Sequence, residues 1–318
     1  MRVVKSIPAC LIVLLAAFGV AGCAPPEPAS SQGRLTVVTT IGMIRDVVEN
    51  VGGGHVQVTG LMGPGVDPHL YKASEGDVRR LFRADVVFYG GLHLEARMGE
   101  VLEEMGSRTR VVAVTDAIPR ARLLSPAEFQ GAHDPHVWFD VAMWAMTIDT
   151  IAATLAAADP AHAADFRRNA AAYHARLDSL DAYVRAQAAR VPRAQRVLVT
   201  AHDAFNYFGR AYGFQVRGLQ GISTASEAGT GDVQALADFI ARRRIPAVFV
   251  ESSIPRRTIE AVQEAVTDRG WEVRIGGSLY SDAMGNPGTP QGTYDGMVRH
   301  NIDTLVGALL RRPGEPNE

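Results

Sequence analysis

Residues 159–192 read DPAHAADFRRNAAAYHARLDSLDAYVRAQAARVP, and after Pro160 neither glycine nor proline occurs until Pro192. The apolar positions Phe166, Ala170, Tyr173, Leu177, Leu180, Val184, Ala188 and Val191 recur at intervals of three and four, while Arg167, Arg168, Asp178, Asp181 and Arg185 fall between them. That periodicity predicts one amphipathic helix, with Asp159 as its N-cap and Pro160 in its first turn. At 1.5 Å per residue the run spans about 48 Å, more than one small domain needs and enough to run down the back of two. A linking helix over 159–192 is therefore expected, stiff enough to restrict hinge motion between the units on either side.

On both sides the chain alternates short β-branched runs with helical periodicity, the pattern of βα units around a mostly parallel sheet. Before the helix, strands are predicted at 35–40, 55–61, 85–89 and 110–114, with helices near 42–51, 74–82 and 94–104 and another after Asp140. After it, strands are predicted at 196–200, 214–219, 246–250 and 271–275, with helices near 203–212, 231–243, 256–268 and 292–311. The expected fold class is α/β, with an N-terminal lobe over 35–158 and a C-terminal lobe over 193–318 joined by the single long rigid helix. A length of 318 residues suits two domains. With 47% hydrophobic and 21% charged residues, the chain is neither disordered nor a multi-span membrane protein. Lys plus Arg number 32 against 34 for Asp plus Glu, which leaves no basic field and excludes nucleic acid as a partner.

The N-terminus reads as an address. Arg2 and Lys5 precede an apolar run over 7–20, and Ala21, Gly22 and Cys23 follow, which is the order of an export signal. The run is shorter than the roughly 20 residues of a membrane span. Residues 24–33, APPEPASSQG, form a flexible polar tether rather than a stop-transfer flank. Val20-Ala21-Gly22-Cys23 resembles a bacterial lipoprotein signal, in which the cysteine becomes the acylated first residue. Residues 1–22 are thus expected to be a signal peptide, 23–34 a tether, and Cys23 the lipidation site of an extracytoplasmic, membrane-anchored protein. Cys10 would leave with the signal, so no disulfide is expected.

In open α/β sheets, ligands bind outside the carboxyl ends of the strands. Four segments there carry chemistry. Val66-Asp67-Pro68-His69-Leu70-Tyr71 follows the strand at 55–61, and His133-Asp134-Pro135-His136-Val137-Trp138-Phe139-Asp140 follows the strand at 110–114 after a loop. Thr200-Ala201-His202-Asp203-Ala204-Phe205 ends the strand at 196–200, and Ser281-Asp282-Ala283-Met284-Gly285 lies beyond the strand at 271–275. Asp-Pro-His occurs twice, and each proline holds the preceding aspartate extended, which fixes the direction of the following imidazole. Three imidazoles and one carboxylate suit Zn²⁺ in a closed four-coordinate site, or Mn²⁺ if Asp282 binds through both oxygens. Tyr71, Trp138, Phe139, Phe205 and Tyr280 are expected to wall such a site off from water. His133 is read as a loop histidine, and His55, His93, His162, His174 and His300 as structural or solvated.

Together with Ser223-Thr224-Ala225-Ser226-Glu227-Ala228, these motifs closely resemble the cluster A-I (cluster 9) substrate-binding lipoproteins of zinc and manganese ABC transporters, within them the TroA type. The resemblance runs from about 35 to 310. It implies metal ligands at His69, His136, His202 and Asp282, and a periplasmic-binding-protein-like fold with a helical backbone. It also implies a transported Zn²⁺ or Mn²⁺ rather than a catalytic cofactor, delivery to an ABC permease and its ATPase, a monomer, and no enzymatic activity. Zinc-dedicated relatives often carry a His-rich insertion before the second ligand, whereas residues 117–132 contain no histidine, which argues against an exclusively zinc assignment.

Two other classes compete. A zinc-dependent hydrolase needs a three-ligand metal with an open water position and a general base. Here a fourth ligand closes the shell, and Glu227 and Glu251, the acids near strand ends, are read as helix-cap or supporting carboxylates. An adhesin-like surface lipoprotein would leave no recognisable trace in the sequence.

Overall fold

The computed structural model describes residues 33–106, 109–126, 129 and 131–311, so the expected signal peptide and Cys23 lie outside the described residues. The first lobe comprises β1 (Leu35–Thr39), α1 (Gly42–Gly52), β2 (Val56–Gly60), α2 (Glu75–Phe82), β3 (Val86–Tyr89), α3 (Gly99–Gly106), β4 (Arg110–Ala113), α4 (Val141–Trp144) and α5 (Met146–Ala158). Helix α6 (Ala163–Ala189) follows. The second lobe comprises β5 (Val197–His202), α7 (Asn206–Tyr212), β6 (Gln215–Gln220), α8 (Thr230–Arg243), β7 (Ala247–Glu251), α9 (Arg257–Thr267), β8 (Arg274–Leu279) and α10 (Tyr294–Leu310).

The β-branched runs pair in parallel, as crossover helices require. The first sheet has the order β2-β1-β3-β4. In the second lobe β5 pairs with β6 and β7 with β8, and β5 lies beside β7. Both lobes thus place their first strand centrally and reverse direction around it, which opens a crevice at the carboxyl ends. The two crevices face each other.

Helix α6 buries Phe166, Ala170, Tyr173, Leu177, Leu180, Val184 and Ala188, the stripe visible in its sequence. Along that stripe it packs on α1, α4 and α5 of the first lobe and on α7 and α10 of the second. Polar ties flank the stripe: Tyr173 donates to Asp46 on α1, Tyr212 donates to Asp181 at 2.9 Å, and Tyr183 donates to Asp303 on α10 at 2.7 Å. One hydrophobic cluster runs without interruption from Val37 and Phe88 through Trp138 and Leu177 to Phe205, Leu279 and Met297. The lobes therefore share a core along their backs. A second core lies between the C-terminal strands and α8 and α9.

Two expectations shift. Asp159 does not cap the long helix: its carboxylate pairs with the His162 ring at 2.5 Å, residues Pro160–His162 make a tight 3-10 turn, and α6 begins at Ala163. The helix has 27 residues, about 40 Å rather than 48. The last strand was expected at 271–275 and runs instead through Arg274–Leu279. Gly276-Gly277, which looks like a strand breaker, is inside it. A Cβ on Gly276 would meet Ala308 at 2.7 Å and Phe249 at 2.8 Å, and Gly277 sits at φ +146° with Thr304 2.5 Å from where its Cβ would be. The pairing with β7 slips at that point, so the glycines mark an irregular strand pressed against α10.

Candidate metal centre

The two lobes bring His69, His136, His202 and Asp282 together, with one ligand atom of each within 4.8 Å of the others, all four side chains buried. His69 comes from the loop after β2, His136 from the turn before Val137–Phe139, His202 is the last residue of β5, and Asp282 follows β8. The three imidazoles point Nε2 inward. His69 Nε2 lies 3.2 Å from His136 Nε2 and 3.9 Å from Asp282 Oδ2, while Asp282 lies 3.4 Å from His136 Nε2 and 3.2 Å from His202 Nε2.

The backbone explains the aim. In each Asp-Pro-His the aspartate Oδ1 accepts the histidine's backbone N–H at 2.9 Å, closing a turn that the proline favours by disfavouring a helical aspartate. The outer ring nitrogens are held too. His136 Nδ1 donates to Asp134 Oδ1 at 2.8 Å, leaving the Nε2 lone pair for a ligand. His202 Nδ1 lies 2.6 Å from Glu251 Oε2, an ion-pair distance off the best hydrogen-bond direction, and the other oxygen of Glu251 accepts the His202 backbone N–H at 2.9 Å. Trp138 stands edge-on to His136, ring centres 5.2 Å apart, and donates its indole N–H to the carbonyl of Ser281 beside Asp282.

Charge decides what fits. Asp134, Glu251 and Asp282 are all buried, and both oxygens of Asp282 and the Nε2 of His202 lack a hydrogen-bond partner among the described residues. Neutral imidazoles cannot offset three buried carboxylates, whereas a divalent cation at the focus would satisfy the unpartnered atoms and the charge together. Without a cation, protons stand in. Burial opposes the charge on His136, but Asp134 and Asp282 outweigh it and raise its pKa to about 9; Glu251 and Asp282 likewise raise His202. Burial pushes His69 down to about 3, so it stays neutral. Burial also opposes the charge on Asp282, yet His202 and His136 hold its carboxyl well below the usual range.

A cation must displace these protons. Apparent Zn²⁺ affinity should therefore climb between pH 6.5 and 9, by about tenfold per pH unit for each proton released. The metal-free protein should show the opposite trend: the His136 proton contributes stability that is fully present below about pH 6.5, the unfolded value, and is lost as pH rises through about 9. Competition titrations across this range check the first statement, and an affinity flat in pH contradicts it.

His133 is outside the cluster, its Nδ1 2.6 Å from Ser125 Oγ. His55 pairs with Asp165 and stacks on His162, His174 pairs with Asp149, and His300 meets the Ser278 carbonyl. Of the expected aromatic wall, Trp138 is the one whose ring pairs with an imidazole of the cluster among the described residues. Phe139 and Phe205 stack on each other in the core, the Tyr71 hydroxyl donates to Asp77, and Tyr280 packs against His300. Glu227 is exposed, and Glu251 supports His202. In the sequence Asp67 and Asp134 are marked only by the repeated Asp-Pro-His, and Glu251, read there as a helix-cap or supporting carboxylate, lies 49 positions from the histidine it supports.

Residues 37–308 match the family model described as zinc-uptake complex component A, periplasmic (ZnuA), and the chain belongs to this family of metal-binding transport proteins. Its relatives include the zinc-binding protein TroA of Treponema pallidum, 52% identical over 303 residues, covering 95% of this chain and 98% of that protein. The manganese-binding lipoprotein MntA of Bacillus subtilis is 51% identical over 298 residues, covering 93% and 97%. The solved structure of periplasmic zinc-binding TroA from Treponema pallidum superposes with a TM-score of 0.86 at 55% identity, covering 88% of this chain and all of that one. The two-lobed fold with its long helix is the TroA fold.

Proposed function

We propose that this protein is the extracytoplasmic receptor of an ABC importer: it captures Zn²⁺ or Mn²⁺ between its lobes through His69, His136, His202 and Asp282 and hands the ion to a membrane permease driven by an ATPase. One observation carries this reading, the convergence of three Nε2 atoms and one unpartnered carboxylate, two ligands from each lobe, at a buried focus. A closed shell of four side chains favours holding an ion over hydrolysing a substrate, since hydrolysis needs a position for water. In this reading residues 1–22 are a signal peptide and Cys23 carries lipid. The tether over 23–34 keeps the lobes (35–158 and 193–318) and the linking segment 159–192 beside the permease as a monomer. Acyl chains at one cysteine anchor stably only when more than one is attached.

Elemental analysis of protein purified without added metal, followed by Zn²⁺ and Mn²⁺ competition and assays on ester, amide and phosphate substrates, tests the reading. One tightly held ion per chain without turnover is the expected result. Turnover dependent on the bound metal would overturn it.

A further inference from the structure

Residues 223–228 contribute no member of the metal cluster. They form the loop between β6 and α8, and Thr224 is the one buried residue among the six. Its hydroxyl crosses from the C-terminal lobe to donate to Asp67 Oδ2 at 2.6 Å, while Oδ1 of the same carboxylate accepts the His69 backbone N–H. Those are the two hydrogen bonds to this carboxylate among the described residues. The matching turn before His136 is fastened more heavily. There Asp134 also accepts from the His136 ring at 2.8 Å and from Asn206 at 3.1 Å, and Tyr207 donates to its carbonyl at 2.9 Å.

The asymmetry has a mechanical consequence. The lobes are joined along their backs by a continuous core, so any opening must occur on the side of the loops that carry the ligands. Separating the loops there breaks the Thr224–Asp67 bond, and Asp67 is then held only by the turn it is supposed to hold. We propose that Thr224 is a positioning residue for metal retention: by fastening Asp67 across the cleft it keeps His69 aimed at the ion and sets the rate at which the ion leaves. This rests on the receptor reading above.

The test is release of Zn²⁺ from the purified full chain, loaded with one equivalent and mixed with excess chromophoric chelator. A hydrogen bond to a charged acceptor predicts release at least about tenfold faster in Thr224→Val, with association changed by less than about twofold. Thr224→Ala, which removes the hydroxyl without adding a methyl, should release as fast. Thr224→Ser, which restores the donor, should return close to wild type, a rescue that mere packing by the threonine methyl would not give. Wild-type release from both Thr224→Val and Thr224→Ala, or a Thr224→Ser as fast as Thr224→Val, overturns the proposal and leaves the receptor reading intact. A wild-type chain that takes up no Zn²⁺ overturns both.

Discussion

Zn²⁺ at a thousandfold excess over its Kd should stabilise the folded chain by about 4 kcal/mol, and His69→Ala, His136→Ala, His202→Ala and Asp282→Ala should each lose most of that gain. A ligand that binds only the folded state adds stability in proportion to the logarithm of one plus its concentration over Kd, and removing one of four donors both weakens the bond and lets water into the focus. His202→Ala should in addition lower the stability of the metal-free chain, because it strips Glu251 and Asp282 of the ring that faces both. His162→Ala and His174→Ala are the controls. Both side chains lie on the linking segment with carboxylate partners of their own, and neither belongs to the cluster. Urea unfolding with and without metal gives the comparison. Equal loss of the metal effect in all six variants would remove the basis for the assignment.

The second large effect separates the two metals. By the Irving-Williams order a site of three imidazoles should hold Zn²⁺ more tightly than Mn²⁺, whatever the cell supplies. Manganese gains from hard oxygen donors, and Asp282 is the one carboxylate among the four converging side chains, its two oxygens facing different imidazoles. Asp282→Asn keeps the shape and removes the charge. It should cost Mn²⁺ at least about tenfold more affinity than Zn²⁺, in competition titrations at one fixed pH. A Zn²⁺ loss as large as the Mn²⁺ loss would mean that the carboxylate does not discriminate.

What could be read in advance follows from range. The stripe on α6, the β-branched strands and the paired Asp-Pro-His turns are local patterns, set by residues within a few positions of one another, and the sequence displays them directly. His202 and Asp282 were legible because each lies beside a strand end, where an α/β sheet exposes its ligands. Partnerships across the chain were not. Glu251 holds His202 from 49 positions away, and Thr224 reaches Asp67 across 157, distances over which no periodicity speaks. The aromatic wall failed for a related reason: Tyr71 and Tyr280 neighbour members of the cluster in sequence, but their rings turn toward α2 and α10. The last strand was displaced because Gly276-Gly277 reads as a turn until α10 is laid against it.

In the proposed function one divalent ion is held jointly by both lobes at the four converging side chains. Anomalous diffraction at the zinc edge, from crystals of the chain loaded with one equivalent of Zn²⁺, tests it most directly. A single peak bonded to the Nε2 atoms of His69, His136 and His202 and to the Asp282 carboxylate is the predicted result; a principal peak elsewhere, or one bonded to residues of a single lobe, would contradict it.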